Sequence, residues 1–355
     1  MRYAKFFVIL QSETSGCSAV RLAHLVWDQG VEGSNPFTPT LQRIRSLLFY
    51  LYQLNASRSN SGIKEELKRR ILLLDGAIGT VAPPAAIPDL LNLYRPGVVR
   101  DIHRRYLEAG ADIISTNTFN SNDISLKDLG IRENAYALAY AGAETARKEA
   151  NRFKRWVAGV VGPTSRQAVT PSERESIFAI GISFSALCEA YVEQMEGLID
   201  GGVDIILIET VTYLANAEAA IQAVRNVSKQ KSINIPVMLS ATLTSEGRLL
   251  SGESVEEFYD TVRCVDNLLS VGLNCGYGPA QLLPYVKRLA RVATCLVSCH
   301  PGAGLPDSTG NYAVTPEIFR ELISEYLGEE RVRIIGGCCG TTPSHIAGLK
   351  ALLPV

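Results

Sequence analysis

FSALCEAYVEQMEGLIDGGVDIILIET, residues 184–210, holds one complete copy of the pattern that organises this chain. Phe184–Asp200 carries apolar side chains at helical spacing, two glycines turn the chain, and Asp204–Ile208 is a short apolar run rich in isoleucine. A run that is apolar at successive positions suits a strand buried on both faces, as in a parallel sheet. Polarity then returns at once with Glu209 and Thr210.

The unit recurs. Apolar runs at Ile71–Leu74, Asp112–Ser115, Val157–Val161, Asp204–Ile208, Pro236–Ser240, Ser270–Leu273, Cys295–Ser298 and Arg333–Ile335 are each followed by a helix-period segment such as Val98–Ala109. Eight strand–helix units over residues 61–355 predict an α/β fold, a (β/α)8 TIM barrel. A doubly wound open sheet is the alternative, but its usual Gly-x-Gly-x-x-Gly turn is missing after the first run. A barrel gathers its working residues at the carboxyl ends of its strands. Just past the eight runs stand Asp75-Gly76-Ala77, Thr116-Asn117-Thr118, Gly162-Pro163-Thr164, Glu209-Thr210, Ala241-Thr242, Asn274-Cys275-Gly276, His300-Pro301-Gly302 and Gly337-Cys338-Cys339-Gly340. All eight are small, polar or metal-capable, so they read as the wall of one pocket.

With a formal net charge of -1 and no long basic run, the chain offers no reason to bind nucleic acid. No apolar stretch approaches the roughly 20 residues of a membrane span, and Phe6–Leu10 is too short for a signal-peptide core. A cytoplasmic location is expected. Residues 1–60 lack the strand–helix rhythm and hold a helical fragment, Leu41–Leu54. Gly33-Ser34-Asn35-Pro36 is what GGTTCGAATCCC encodes, which resembles part of a transfer-RNA gene. This segment is read as translated upstream DNA or as a poorly ordered extension, and no function is assigned to it.

The cysteines are Cys17, Cys188, Cys264, Cys275, Cys295, Cys299, Cys338 and Cys339. Without an export signal they read as reduced thiols or metal ligands. Cys338 and Cys339 end the last strand and Cys275 ends the sixth, two places away around a closed barrel. Three thiolates with a fourth position open is the arrangement of a catalytic zinc. Gly336, Gly337 and Gly340 allow unusual backbone angles, so that consecutive cysteines can turn toward one ion. The other reading of the pair is small buried residues or a strained vicinal disulfide. Soft thiolates favour zinc, and a thiol substrate entering as fourth ligand would lose its proton, which points to thiol alkylation. Cys299 reads as core packing by strand alternation, and the other four cysteines as bland.

The stretches "EELKRRILLLDGAIGT", "YLEAGADIISTNTFNS", "VAGVVGPT", "GLIDGGVDIILIET", "GLNCGYGP", "HPGAGLP" and "GGCCGTTPSHI" together resemble the homocysteine S-methyltransferase family. Within it they are most similar to the N-terminal homocysteine-binding module of cobalamin-dependent methionine synthases. The resemblance covers about Ile63 to Leu353. It implies zinc on Cys275, Cys338 and Cys339, homocysteine thiolate as fourth ligand, and Asp75 with Glu209 holding the amino-acid end of the substrate. A buried ammonium wants an anionic acceptor, though Glu209 could instead be an ion-paired acid and Asp75-Gly76 only a turn. Asn117 and Asn274 would orient the substrate carboxylate or bond loop backbone. His300 could be a fourth ligand, which both the open position and the family pattern oppose.

Two departures stand out. The family's long insertion after the first motif is replaced by "GTVAPPAAIPDLLNLYRPGVV", and "PSHIAGLKALLPV" is followed by no folate or cobalamin domain. The cobalamin pattern D-x-H-x-x-G is begun by Asp101 and His103, but Tyr106 stands at its glycine and the segment reads as helix. The resemblance therefore implies a module that methylates homocysteine to methionine with methylcobalamin from a separate chain or domain, in partnership with a cobalamin- and folate-binding protein. The alternatives are a stand-alone enzyme using S-methylmethionine or S-adenosylmethionine, and an inactive zinc-binding barrel.

Overall fold

The computed structural model describes residues 62–83, 87–169 and 181–353. The expectations placed on residues 1–60, Cys17 included, lie outside the described residues. Eight parallel strands follow in chain order: β1 (Leu72–Leu73), β2 (Ile113–Ser115), β3 (Trp156–Val161), β4 (Ile205–Val211), β5 (Val237–Ala241), β6 (Leu268–Cys275), β7 (Leu296–Pro301) and β8 (Val332–Ile335). Each pairs with the next from β2 to β8, and β8 pairs with β1 in the register Leu72↔Ile334. A parallel bridge from Leu74 to Ile113 brings β1 back to β2. The sheet closes on itself, and the open doubly wound alternative is excluded.

One helix follows each strand around the outside: α1 (Pro96–Glu108), α2 (Ala135–Phe153), α3 (Phe184–Asp200), α4 (Leu214–Lys231), α5 (Val255–Val262), α6 (Pro279–Val292), α7 (Pro316–Ser324) and α8 (Pro343–Lys350). Their starts are written locally. Ser183 accepts the Ala186 N–H at α3, Ser254 and Glu257 form a reciprocal capping box at α5, and α1, α6, α7 and α8 each begin on a proline. The helix reading over Asp101–His103 agrees with α1, where His103 is fully buried.

Inside the barrel, alternate residues form one apolar column: Leu72 and Leu74, Ala158 and Val160, Ile205 and Leu207, with Ile113, Met238 and Ile334. Ile63 and Leu67, from the helix at 62–69, close its lower end. Closure between β1 and β2 depends on a buried carboxylate. Asp112 accepts two hydrogen bonds from the Arg70 guanidinium, at 2.8 and 3.0 Å, and one from the Leu73 N–H at 3.1 Å.

Three strands outrun their apolar runs. Asp204–Ile208 becomes Ile205–Val211, Ser270–Leu273 becomes Leu268–Cys275, and Cys295–Ser298 becomes Leu296–Pro301. Polar side chains end an apolar run without ending the ladder: Asn274 pairs with His300 and Cys275 with Pro301. Glu209, Asn274, Cys275 and His300 are thus carried on strands rather than on loops.

Replacing Asp112 with alanine leaves the half-buried Arg70 guanidinium with Glu66 as its remaining carboxylate and takes the side-chain acceptor from the Leu73 N–H. Chemical denaturation should show a loss of about 2 kcal/mol, with metal binding at the opposite end of the barrel unchanged.

Candidate metal centre and substrate pocket

Cys275, Cys338 and Cys339 converge, with all three sulfur atoms within 4.8 Å of one another. The Cys275 and Cys339 sulfurs lie 3.6 Å apart. Tetrahedral zinc with bonds of about 2.3 Å places its thiolates roughly 3.8 Å apart, so the described spacing fits such an ion. Cys339 is exposed while the other two are half-buried, which leaves one side of the tripod open.

The backbone is bent to make this cluster. Cys275 itself adopts a left-handed conformation, φ +57°, as does Gly276 at +58°. Strain of this kind at a non-glycine residue collects at functional sites. Of the three glycines expected to supply unusual angles, only Gly340 does so, at φ +82°. The loop is then held from several sides. The Cys338 N–H donates to the Pro301 carbonyl at 2.8 Å, the Cys339 carbonyl accepts the Ala303 N–H at 2.8 Å, and the Cys338 carbonyl accepts the Thr341 hydroxyl at 2.6 Å. The segment after β1 takes part too, since Thr80 Oγ1 accepts the Gly340 N–H at 2.9 Å.

Hydrogen bonds from Cys275 and Cys338 hold the Cys339 thiol far below its ordinary pKa. The same exchange with Cys275 and Cys339 pushes Cys338 well up. Three thiols packed this closely accommodate one negative charge at the expense of the others. A divalent cation removes that conflict, because it allows all three to ionise.

The two carboxylates differ. Asp75, just past β1, is 1 % exposed and accepts both the N–H and the hydroxyl of Ser115 at 2.9 and 2.8 Å. Burial, opposed by those two bonds and helped by the nearby charge of Glu209, raises its carboxyl to about 8. Glu209 continues the inner face of β4 and meets the His300 imidazole, Nε2 to Oε2, at 3.2 Å. It also lines a shallow cleft with Pro163, Tyr191 and Asn216.

Asn274 is fully buried. Its Oδ1 accepts the Thr210 N–H at 2.9 Å, and its Nδ2 donates to Thr210 Oγ1 at 2.8 Å and approaches the Cys338 sulfur at 3.9 Å. Asn117 donates its amide to the Pro88 carbonyl at 2.7 Å and to Asn92 at 3.1 Å. Gly76 lies where a side chain would collide, since a Cβ there would come within 2.6 Å of Thr341 Oγ1. The structure thus brings Asp75, Glu209, Asn274 and the three cysteines to one rim, with the Asn117 amide turned to Pro88 and Asn92 in the segment after β1. Cys299 is buried, in keeping with core packing. Sequence reading missed Ser115, hidden inside an apolar run, and Thr210, a non-glycine at φ +58°.

A family model described as homocysteine S-methyltransferase matches residues 72–353. Among solved structures the chain is similar to the homocysteine methyltransferase MmuM from Escherichia coli. Its oxidised form shares 22% identity at TM-score 0.64, over 79% of this chain and 95% of that one. Its metallated form shares 23% at TM-score 0.62, over 79% and 96%. At these identities the likeness establishes a common barrel fold. No helix among the described residues is long and apolar enough to cross a membrane.

The raised carboxyl of Asp75 makes a stability prediction. An unfolded aspartate ionises near 3.9, so unfolding releases a proton between that pH and about 8. The contribution of Asp75 to stability is full below about pH 4 and is lost as the pH rises through about 8. In Asp75→Asn the amide oxygen accepts the Ser115 N–H, the amide nitrogen donates to the Ser115 hydroxyl, and there is no charge to bury. The variant's melting temperature should lie above that of the parent at pH 8, with the difference shrinking toward pH 4.

Proposed function

Because the chain belongs to the homocysteine S-methyltransferase family, we propose that it transfers a methyl group to homocysteine, held by a zinc ion on Cys275, Cys338 and Cys339, to give methionine. The convergence of those three sulfurs on one open-sided tripod carries the reading. Zinc bound there supplies a Lewis acid that lowers the substrate thiol from its ordinary pKa near 8.5, so that it is ionised at neutral pH.

The remaining work falls to the protein's own groups. Glu209 and Asp75 receive the substrate α-ammonium, which supplies the positive charge that two buried carboxylates otherwise lack. Asn274 steadies the amino-acid end by holding Thr210 beside Glu209, Asn117 supports it indirectly by tying the segment after β1 through Pro88 and Asn92, and Gly76 keeps the first loop thin beneath it. A thiol anchored at its amino-acid end presents its sulfur to a donor in one orientation. The new S–CH3 bond forms as the donor's bond to the methyl carbon breaks, and the bonding pair leaves with the donor.

The donor we favour is methylcobalamin carried by a separate chain or domain, with a cobalamin- and folate-binding protein as partner. A second reading draws on the coverage of MmuM: 95% of that homocysteine methyltransferase is spanned by this barrel. On that reading the barrel works alone with a sulfonium donor, S-methylmethionine or S-adenosylmethionine. Zinc-loaded protein with homocysteine should form methionine from methylcobalamin and not from S-methylmethionine; the reverse result assigns the sulfonium donor.

Cys339→Ala removes one leg of the tripod. Metal analysis should find stoichiometric zinc lost, and methionine formation should fall by roughly 100-fold or more. A variant that keeps one zinc per chain would overturn the ligand set.

A further inference from the structure

We propose that His300 is the positioning residue for Glu209, and that it gives the site its preference for an amino-acid thiol over a plain thiol. The proposal rests on the homocysteine reading and deepens it.

His300 is the hydrogen-bond partner that the described residues offer the Glu209 carboxylate, at 3.2 Å. A carboxylate can only accept, so Nε2 carries the proton and donates. The ring is 2 % exposed, and its Nδ1 has no partner among the described residues. Its polar contacts are therefore directed at Glu209 alone.

Both residues are fixed from behind. His300 sits on β7 opposite Asn274 of β6, in a ladder that runs unbroken from Ser270↔Leu296 to Cys275↔Pro301. Glu209 precedes Thr210, whose left-handed backbone is clamped at N–H and hydroxyl by the same Asn274. The β4–β5 register slips between Ile208 and Val211, so ordinary strand pairing does not hold Glu209 in place. The imidazole supplies that restraint. It occupies one carboxylate oxygen and leaves the other free for an ammonium, at a rim where the metal tripod fixes the sulfur end. With sulfur and ammonium sites both rigid, a ligand that spans them binds with little further ordering.

The test uses zinc-loaded protein and calorimetric titration with two thiols, homocysteine and 4-mercaptobutanoate, which is homocysteine without its ammonium. No methyl donor is required. The parent should prefer homocysteine. In His300→Ala that preference should fall about tenfold, through weaker homocysteine binding, while affinity for 4-mercaptobutanoate and zinc content stay unchanged. His300→Gln, whose amide can still donate to the carboxylate, should recover part of the preference. An unchanged preference in His300→Ala, or an equal loss for both thiols in both variants, overturns the proposal. Binding of neither thiol by the parent overturns the homocysteine reading itself, and the proposal with it.

Discussion

Asn274 fastens the working rim of this barrel. One amide group closes two hydrogen bonds on Thr210, holds that residue in a left-handed conformation, and points its remaining N–H toward the Cys338 sulfur. Strand β4, strand β6 and the loop after β8 are thereby referred to one planar group. A fully buried amide satisfied on both its oxygen and its nitrogen rigidifies whatever it touches. The next residue, Cys275, is itself left-handed, so the chain turns sharply where its thiol must face the partner pair. Glu209 is displaced from the regular ladder by the same arrangement.

The rim concentrates acids. Two carboxylates and three thiols stand at one end of the barrel, and burial, helped by the nearby charge of Glu209, raises the Asp75 carboxyl to about 8. Such a grouping costs stability in the empty protein, and on the proposed reading a metal among the sulfurs and an ammonium between the carboxylates would offset it. The opposite end is built for stability. Arg70 and Asp112 pair there, and Ile63 and Leu67 fill the interior beneath the apolar column. Working groups at the carboxyl ends and closure at the amino ends is the division of labour that parallel barrels permit.

The segment after β1 shows how one loop serves another. It supplies Thr80 to hold Gly340, and Asp89, which accepts hydrogen bonds from the Asn120 N–H and the Ser121 hydroxyl. The first, second and last loops are joined through these contacts.

Much of this was legible in the sequence, and for definite reasons. Apolar runs of four or five residues alternating with helical periods point to parallel strands buried on both faces by helices, an arrangement shared by barrels and doubly wound sheets. The cysteine cluster was legible because Cys275 and the Cys338–Cys339 pair fall at strand ends two places apart, a relation that closure turns into contact. What the tertiary structure alone decided is which polar groups face which. Asn117 turns its amide to Pro88 and Asn92 in the preceding segment while Asn274 turns toward Thr210 and Cys338, though both follow apolar runs in the same way. The pairing of His300 with Glu209 joins residues 91 positions apart. Local periodicity places a residue on a face and at a height; its hydrogen-bond partner is set by the shear of the closed barrel and by strained angles at Thr210 and Cys275, which no residue type announces.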